Sequence, residues 1–143
     1  MKPDLKTILL LLVVFNTLQT CVFILIYLID RERRGSREWI LWSVSLTVGF
    51  LLILFRNAVP ERLFRPTVAL SNACIIAGHL FLYVGIERFL EIKPEKYFII
   101  GITGFFILGS FIAMVVFADG NLSSTVFYLS LAMIIGSMAV SLW

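Results

Sequence analysis

The sequence predicts an all-α membrane protein: a polytopic bundle of five transmembrane helices, forming one transmembrane domain over residues 1–143. Three observations predict it. The chain is 60% hydrophobic and only 15% charged, and its mean hydropathy of +1.00 lies above that of a soluble domain, which needs more polar surface. Apolar runs recur along the whole length with no charge in their middles. Each run is near the roughly 20 residues that cross the hydrocarbon at about 1.5 Å per residue. A transmembrane barrel would instead show alternating segments of about ten residues, and the sequence has none.

The first span covers about Ile8–Leu28. It is too long for a secretory leader and has no small-residue cleavage site, so it reads as a retained span. The charged stretch "DRERRGSRE", with Gly35, separates it from a short second span, about Trp39–Phe55. "RNAVPERLFRP" follows, and Pro66 suits the first turn of a third span over about Thr67–Phe89. "EIKPEK" leads to the fourth span, about Tyr97–Ala118, and "ADGNLSS" supplies a turn and capping hydroxyls before the fifth, about Thr125–Trp143. The sequence stops in apolar residues, which predicts a longer natural chain.

Lysine and arginine in the loops set the orientation. One side holds Arg31, Arg33, Arg34, Arg37, Arg88, Lys93 and Lys96, the other Lys2, Lys6, Arg56, Arg62 and Arg65. Seven against five puts the N-terminus outside and the C-terminus in the cytoplasm. Tyr27, Trp39, Trp42, Tyr97 and Trp143 then fall near the cytoplasmic interface, as aromatic belts do. The net charge of +3 sits in these short loops, so it speaks for the lipid bilayer as partner rather than for nucleic acid. Cys21 and Cys74 fall within spans and read as small packing residues.

Several chemistries are excluded by what the spans lack. Pumps and transporters place ionisable groups at mid-membrane, whereas Asp30, Glu38, Arg56, Glu87, Arg88 and Glu91 all lie near span ends. A single histidine cannot supply a haem pair, and no metal-ligand spacing or phosphate loop occurs. No catalytic residue, metal or cofactor is expected.

The polar residues within the spans are the candidates for function. Asn16, Gln19 and Thr20 share a face of the first helix, and Asn72 and His79, two turns apart, share a face of the third. Ser71, Gly78 and Gly85 make a small-residue seam of the same period. Small residues let helices approach in lipid and polar groups then bond across. Two readings follow: the first-helix amides dock on the third-helix seam as structural glue, or Asn16, Gln19, Asn72 and His79 line a ligand pocket, with Arg56 at its outer mouth. Gly101, Gly104, Gly109 with Ala113, and Ala132 with Gly136 form further small-residue patterns, suited to packing within the bundle or to a homodimer.

Trp42, Gly49, Arg56 and Pro60, followed by "LSNACIIAGHLFLYVGIERFL", resemble the membrane-embedded N-terminal sensor region of bacterial diguanylate cyclases and related histidine kinases. In that family an Asn early in one helix precedes glycines and a G-x-x-x-F end, here Asn72 and then Gly85 to Phe89. The resemblance covers about a third of the chain. It implies a multi-pass sensory module in the bacterial inner membrane that passes a small-molecule or membrane-borne signal to a cytoplasmic output domain or partner. The chain departs from the pattern in having no cyclase or kinase domain after Trp143 and in having five helices where such regions often have more. A small transporter or channel, and a structural subunit of a membrane complex, are the alternatives.

Overall fold

The computed structural model describes residues 4–31, 33–112 and 120–143. The described residues form five α-helices: α1 (Leu5–Ile29), α2 (Ser36–Phe55), α3 (Glu61–Phe89), α4 (Lys96–Phe111) and α5 (Gly120–Ser141), with a 3-10 turn at Arg56–Ala58 after α2. Helices satisfy every backbone N–H and C=O group within the segment, as a chain requires where no water can do so. Four helices are long and apolar enough to cross a membrane: 6–29, 36–55, 61–89 and 124–141. α4 is apolar but shorter, and the last six residues of the expected fourth span, 113–118, lie outside the described residues.

α3 begins earlier than the sequence suggests. Pro60 precedes its first residue and Glu61 places a carboxylate in the first turn, where the helix dipole favours it. Pro66 is therefore inside the helix rather than at its start. The missing N–H leaves the Arg62 carbonyl without its helical donor, which is tolerable because residues 61–66 are exposed. At 29 residues, α3 is ~44 Å long, the longest helix and the one around which the others are arranged.

The packing order is α1 on α2, α2 on α3, α3 on α5, and α5 on α4. The Ser71–Gly78–Gly85 seam does pack closely, but against α2. A Cβ on Gly78 would meet the Trp42 carbonyl at 3.3 Å, and one on Gly85 would meet the Trp39 ring at 2.7 Å. Reciprocally, Gly49 of α2 sits over Ile75 and the Ser71 carbonyl. α2 thus lies between α1 and α3, and the expected docking of the first-helix amides on the third-helix seam does not occur. α2 supplies its own small and hydroxyl residues to both neighbours, which a reading confined to the first and third spans overlooks.

On the other side of α3 the contact is bulky. Ile76 and Tyr83 of α3, Ile102 and Phe106 of α4, and Val126, Ile134 and Met138 of α5 form one buried cluster, with the Tyr83 and Phe98 rings 5.2 Å apart. α1 is peripheral. Only 6% of its most apolar stretch is buried, and Leu11, Phe15, Leu18, Leu25 and Ile29 face outward. In water such a surface would drive aggregation; in lipid it meets its own solvent.

Candidate functional site

The five residues singled out in the sequence separate into three places. Asn16 is buried against α2, where its side-chain amide donates to the Leu12 carbonyl at 2.8 Å. Its own carbonyl accepts from Ser43 of α2 at 2.9 Å. Thr20 lies 2.7 Å from the Ser43 hydroxyl and 2.8 Å from the same Asn16 carbonyl. This is helix glue between α1 and α2, with Ser43 the member that the sequence reading missed. Gln19 is half-buried on the same helix and makes no hydrogen bond among the described residues.

His79 is half-buried on α3, and its Nδ1–H donates to the Ile75 carbonyl one turn back at 2.8 Å. That bond turns the imidazole onto its own helix. His79 does not line the cleft described next, although it lies two turns from a residue that does.

Arg56 and Asn72 come together. They line a cleft of about 230 Å³ with Ile53, Val68, Ser71, Ile75, Ser124, Phe127 and Tyr128. Three elements build it. The 3-10 turn after α2 carries Arg56 to the mouth. The second turn beyond Pro66 carries Ser71 and Asn72. The first described turns of α5 bring Ser124 and Tyr128. The Ser71 hydroxyl is directed to its own helix, donating to the Val68 carbonyl at 2.8 Å. The Arg56 guanidinium and the Asn72 amide make no hydrogen bond to any described residue, and both are half-buried. A guanidinium and an amide facing an apolar floor suit a small polar or anionic molecule, because the guanidinium offers paired donors and the amide both a donor and an acceptor. The space is below the range typical of drug-sized ligands, so the occupant is small. Tyr128 and Ser124 could be assigned to the site only from the fold, since nothing in the local sequence ties α5 to Arg56.

Among the described residues, no group of three or more histidine, cysteine or acidic side chains is placed to hold a metal ion. No protein-family model matches the chain, and neither the curated proteins nor the solved structures include a detectable relative.

Proposed function

We propose that the chain is a non-catalytic sensory module of a bacterial signalling protein, spanning the inner membrane five times with its N-terminus outside and its C-terminus in the cytoplasm. In this reading the Arg56–Asn72 cleft takes a small polar or anionic signal from the outer side. The observation that carries the proposal is that the cleft is walled jointly by α3 and by α5, the last helix of the sequence. A ligand held between Asn72 and Tyr128 favours one spacing of those two helices over another. Only such a difference in affinity between two arrangements shifts their populations. α5 then hands the change to a cytoplasmic domain or partner. The sensor-region resemblance of Trp42–Phe89 supports the same reading, since that stretch supplies Ile53, Arg56 and Asn72 to the cleft.

The test uses the purified chain in nanodiscs, screened for thermal stabilisation against small carboxylates, amino acids and phosphate. A stabilising compound should lose its effect in Arg56→Gln and in Asn72→Ala, and keep it in His79→Ala and Gln19→Ala. If every compound that stabilises the wild type acts equally on Arg56→Gln and Asn72→Ala, the cleft is not the sensing site. Substrate flux into liposomes would replace the sensor reading with that of a transporter.

A further inference from the structure

At the opposite end of the bundle, the α1–α2 and α3–α4 loops enclose a second cleft, of about 480 Å³. Its walls carry Arg31, Arg33, Arg34, Arg37, Arg88 and Lys93, against only two carboxylates. Both carboxylates are already engaged: Arg34 pairs with Glu91 at 3.0 Å, and Arg88 pairs with the largely buried Glu38. Arg31, Arg33, Arg37 and Lys93 have no carboxylate partner among the described residues. Four like charges around one concavity repel each other, and an anion placed among them relieves that repulsion.

The loops are held in this shape by specific contacts rather than left to splay. Gly35 adopts φ +86° and lies so close to α3 that a Cβ there would come within 2.5 Å of the Gly85 carbonyl. The Ser36 hydroxyl donates to the Arg33 carbonyl at 2.8 Å. The Arg33 guanidinium sits 5.9 Å from the centre of the Phe89 ring, which itself packs on Trp39 at 5.6 Å. Arg37 is held by Tyr27, to whose hydroxyl its Nε donates at 3.2 Å. Across the cleft, the α3 C-terminus is closed by Ile92 N–H donating to the Glu87 carbonyl at 2.8 Å. Arg33 and Arg37, already held by these contacts, lose little freedom on binding.

We propose that this two-loop cleft is a binding site for a phosphate-bearing anion. Guanidinium groups match phosphate oxygens with paired N–H donors. The cleft joins two loops that are separate in sequence, so basic side chains from both face one concavity. Phosphate reaches it either as a lipid headgroup or as a soluble compound, and both present the same group to the same arginines. The inference does not depend on the Arg56–Asn72 cleft, which lies at the other end of the helices.

The experiment compares two charge-matched triple variants of the full chain. One removes cleft cations, Arg31→Gln with Arg37→Gln and Lys93→Gln; the other removes Lys6→Gln with Arg62→Gln and Arg65→Gln at the opposite ends. Helix content by circular dichroism checks that each folds. The lipid arm measures retention of phosphatidic acid from mixed phosphatidylcholine nanodiscs by native mass spectrometry. The soluble arm measures pyrophosphate binding in pure phosphatidylcholine nanodiscs by calorimetry. The cleft variant should lose affinity by about tenfold or more in at least one arm, while the control changes less than about twofold. Loss in the lipid arm alone assigns the headgroup as source, and loss in the soluble arm assigns a free phosphate. Equal losses in the two variants, or no binding by the wild type in either arm, would overturn the site. Should the cleft triple variant not fold, Lys93→Gln alone, at an exposed loop position, gives the same comparison against Arg65→Gln.

Discussion

The hydroxyl of Ser141, on the last turn of α5, donates to Oε1 of Glu87 on α3 at 3.1 Å. Glu87 is only 4% exposed, and its second oxygen has no hydrogen-bond partner among the described residues. A buried carboxylate is costly unless its lone pairs are met, so this contact fixes the end of α5 to α3 at the side of the bundle that carries the basic loops. Removing one partner strands the other, whereas replacing both by apolar groups relieves the demand. Ser141→Ala should therefore cost about 1–2 kcal/mol, and the Ser141→Ala, Glu87→Leu double variant should cost less than the two single variants added together. The expected coupling in the double-mutant cycle is about 1 kcal/mol, read from unfolding in detergent. Strict additivity would mean that the hydrogen bond contributes nothing to joining the two helices.

The glycines divide into two groups with opposite expected effects. A Cβ on Gly85 would fall 2.7 and 2.8 Å from atoms of the Trp39 ring, and one on Gly49 would fall 2.8 Å from Ile75 Cγ1 and 3.2 Å from the Ser71 carbonyl. Alanine at either position overpacks the α2–α3 contact, at a cost of roughly 1–3 kcal/mol. A Cβ on Gly101 or Gly136 would meet no other side chain or helix within 4 Å among the described residues, so alanine there should be neutral or stabilise by up to about 1 kcal/mol through helix propensity. Thermal unfolding of the four single variants separates the groups. Destabilisation by Gly101→Ala or Gly136→Ala would reveal a second chain packed on that face.

Much of this fold is legible in the residues. The four long helices follow from apolar length alone, and the seam of Ser71, Gly78 and Gly85 announces a close contact by its seven-residue period. What that period cannot state is which helix fills the seam. α1 and α2 both carry polar and small residues, and it is α2, from Gly35 to Gly49, that lies against α3. The Arg56–Asn72 pairing is half legible, since both residues stand out as polar groups at apolar boundaries. Their partner Tyr128 reads as an ordinary apolar-helix residue until α5 is seen against α3. His79 shares a helix face with Asn72 but not its cleft, for a local reason: a ring nitrogen can satisfy itself on the carbonyl four residues earlier.

The C-terminus of α3 holds a residue in an unfavourable conformation. Glu91 has φ +63°, while Ile92 N–H bonds to the Glu87 carbonyl and Glu91 N–H to that of Arg88. This is the pattern of a helix end at which glycine is usual, because a Cβ strains the left-handed conformation. Glu91→Gly removes that strain, worth about 1 kcal/mol. It also removes the Glu91–Arg34 pair, whose side chains are 72% and 66% exposed and which therefore contributes little. The net expectation is a small rise in thermal stability. It should be accompanied by tighter anion binding in the two-loop cleft, since Arg34 is then unpaired. A fall in stability would show that the ion pair outweighs the backbone strain.

α1 buries little surface, so its polar contacts with α2 weigh in its attachment beside the packing of Phe23 on Trp39 and Trp42. Ser43, fully buried on α2, donates to the Asn16 carbonyl at 2.9 Å and lies 2.7 Å from Thr20 Oγ1. Bonds of this kind between membrane helices contribute about 0.6 kcal/mol each on average, and up to about 1.7. Ser43→Ala deletes both contacts while keeping the small volume that the crossing needs, so it should cost about 1–2 kcal/mol, most of it local to α1. Ser43→Val adds methyl groups where there is no space and should cost more. Hydrogen exchange resolved by segment is the informative measurement, because a loosened α1 raises exchange in residues around Asn16 while the α3–α4–α5 cluster stays protected. Thr20→Val should reproduce part of the effect, since it removes only the hydroxyl that faces Ser43. If Ser43→Ala leaves α1 exchange unchanged, then apolar contact alone holds the first helix, and the three-residue polar junction is incidental.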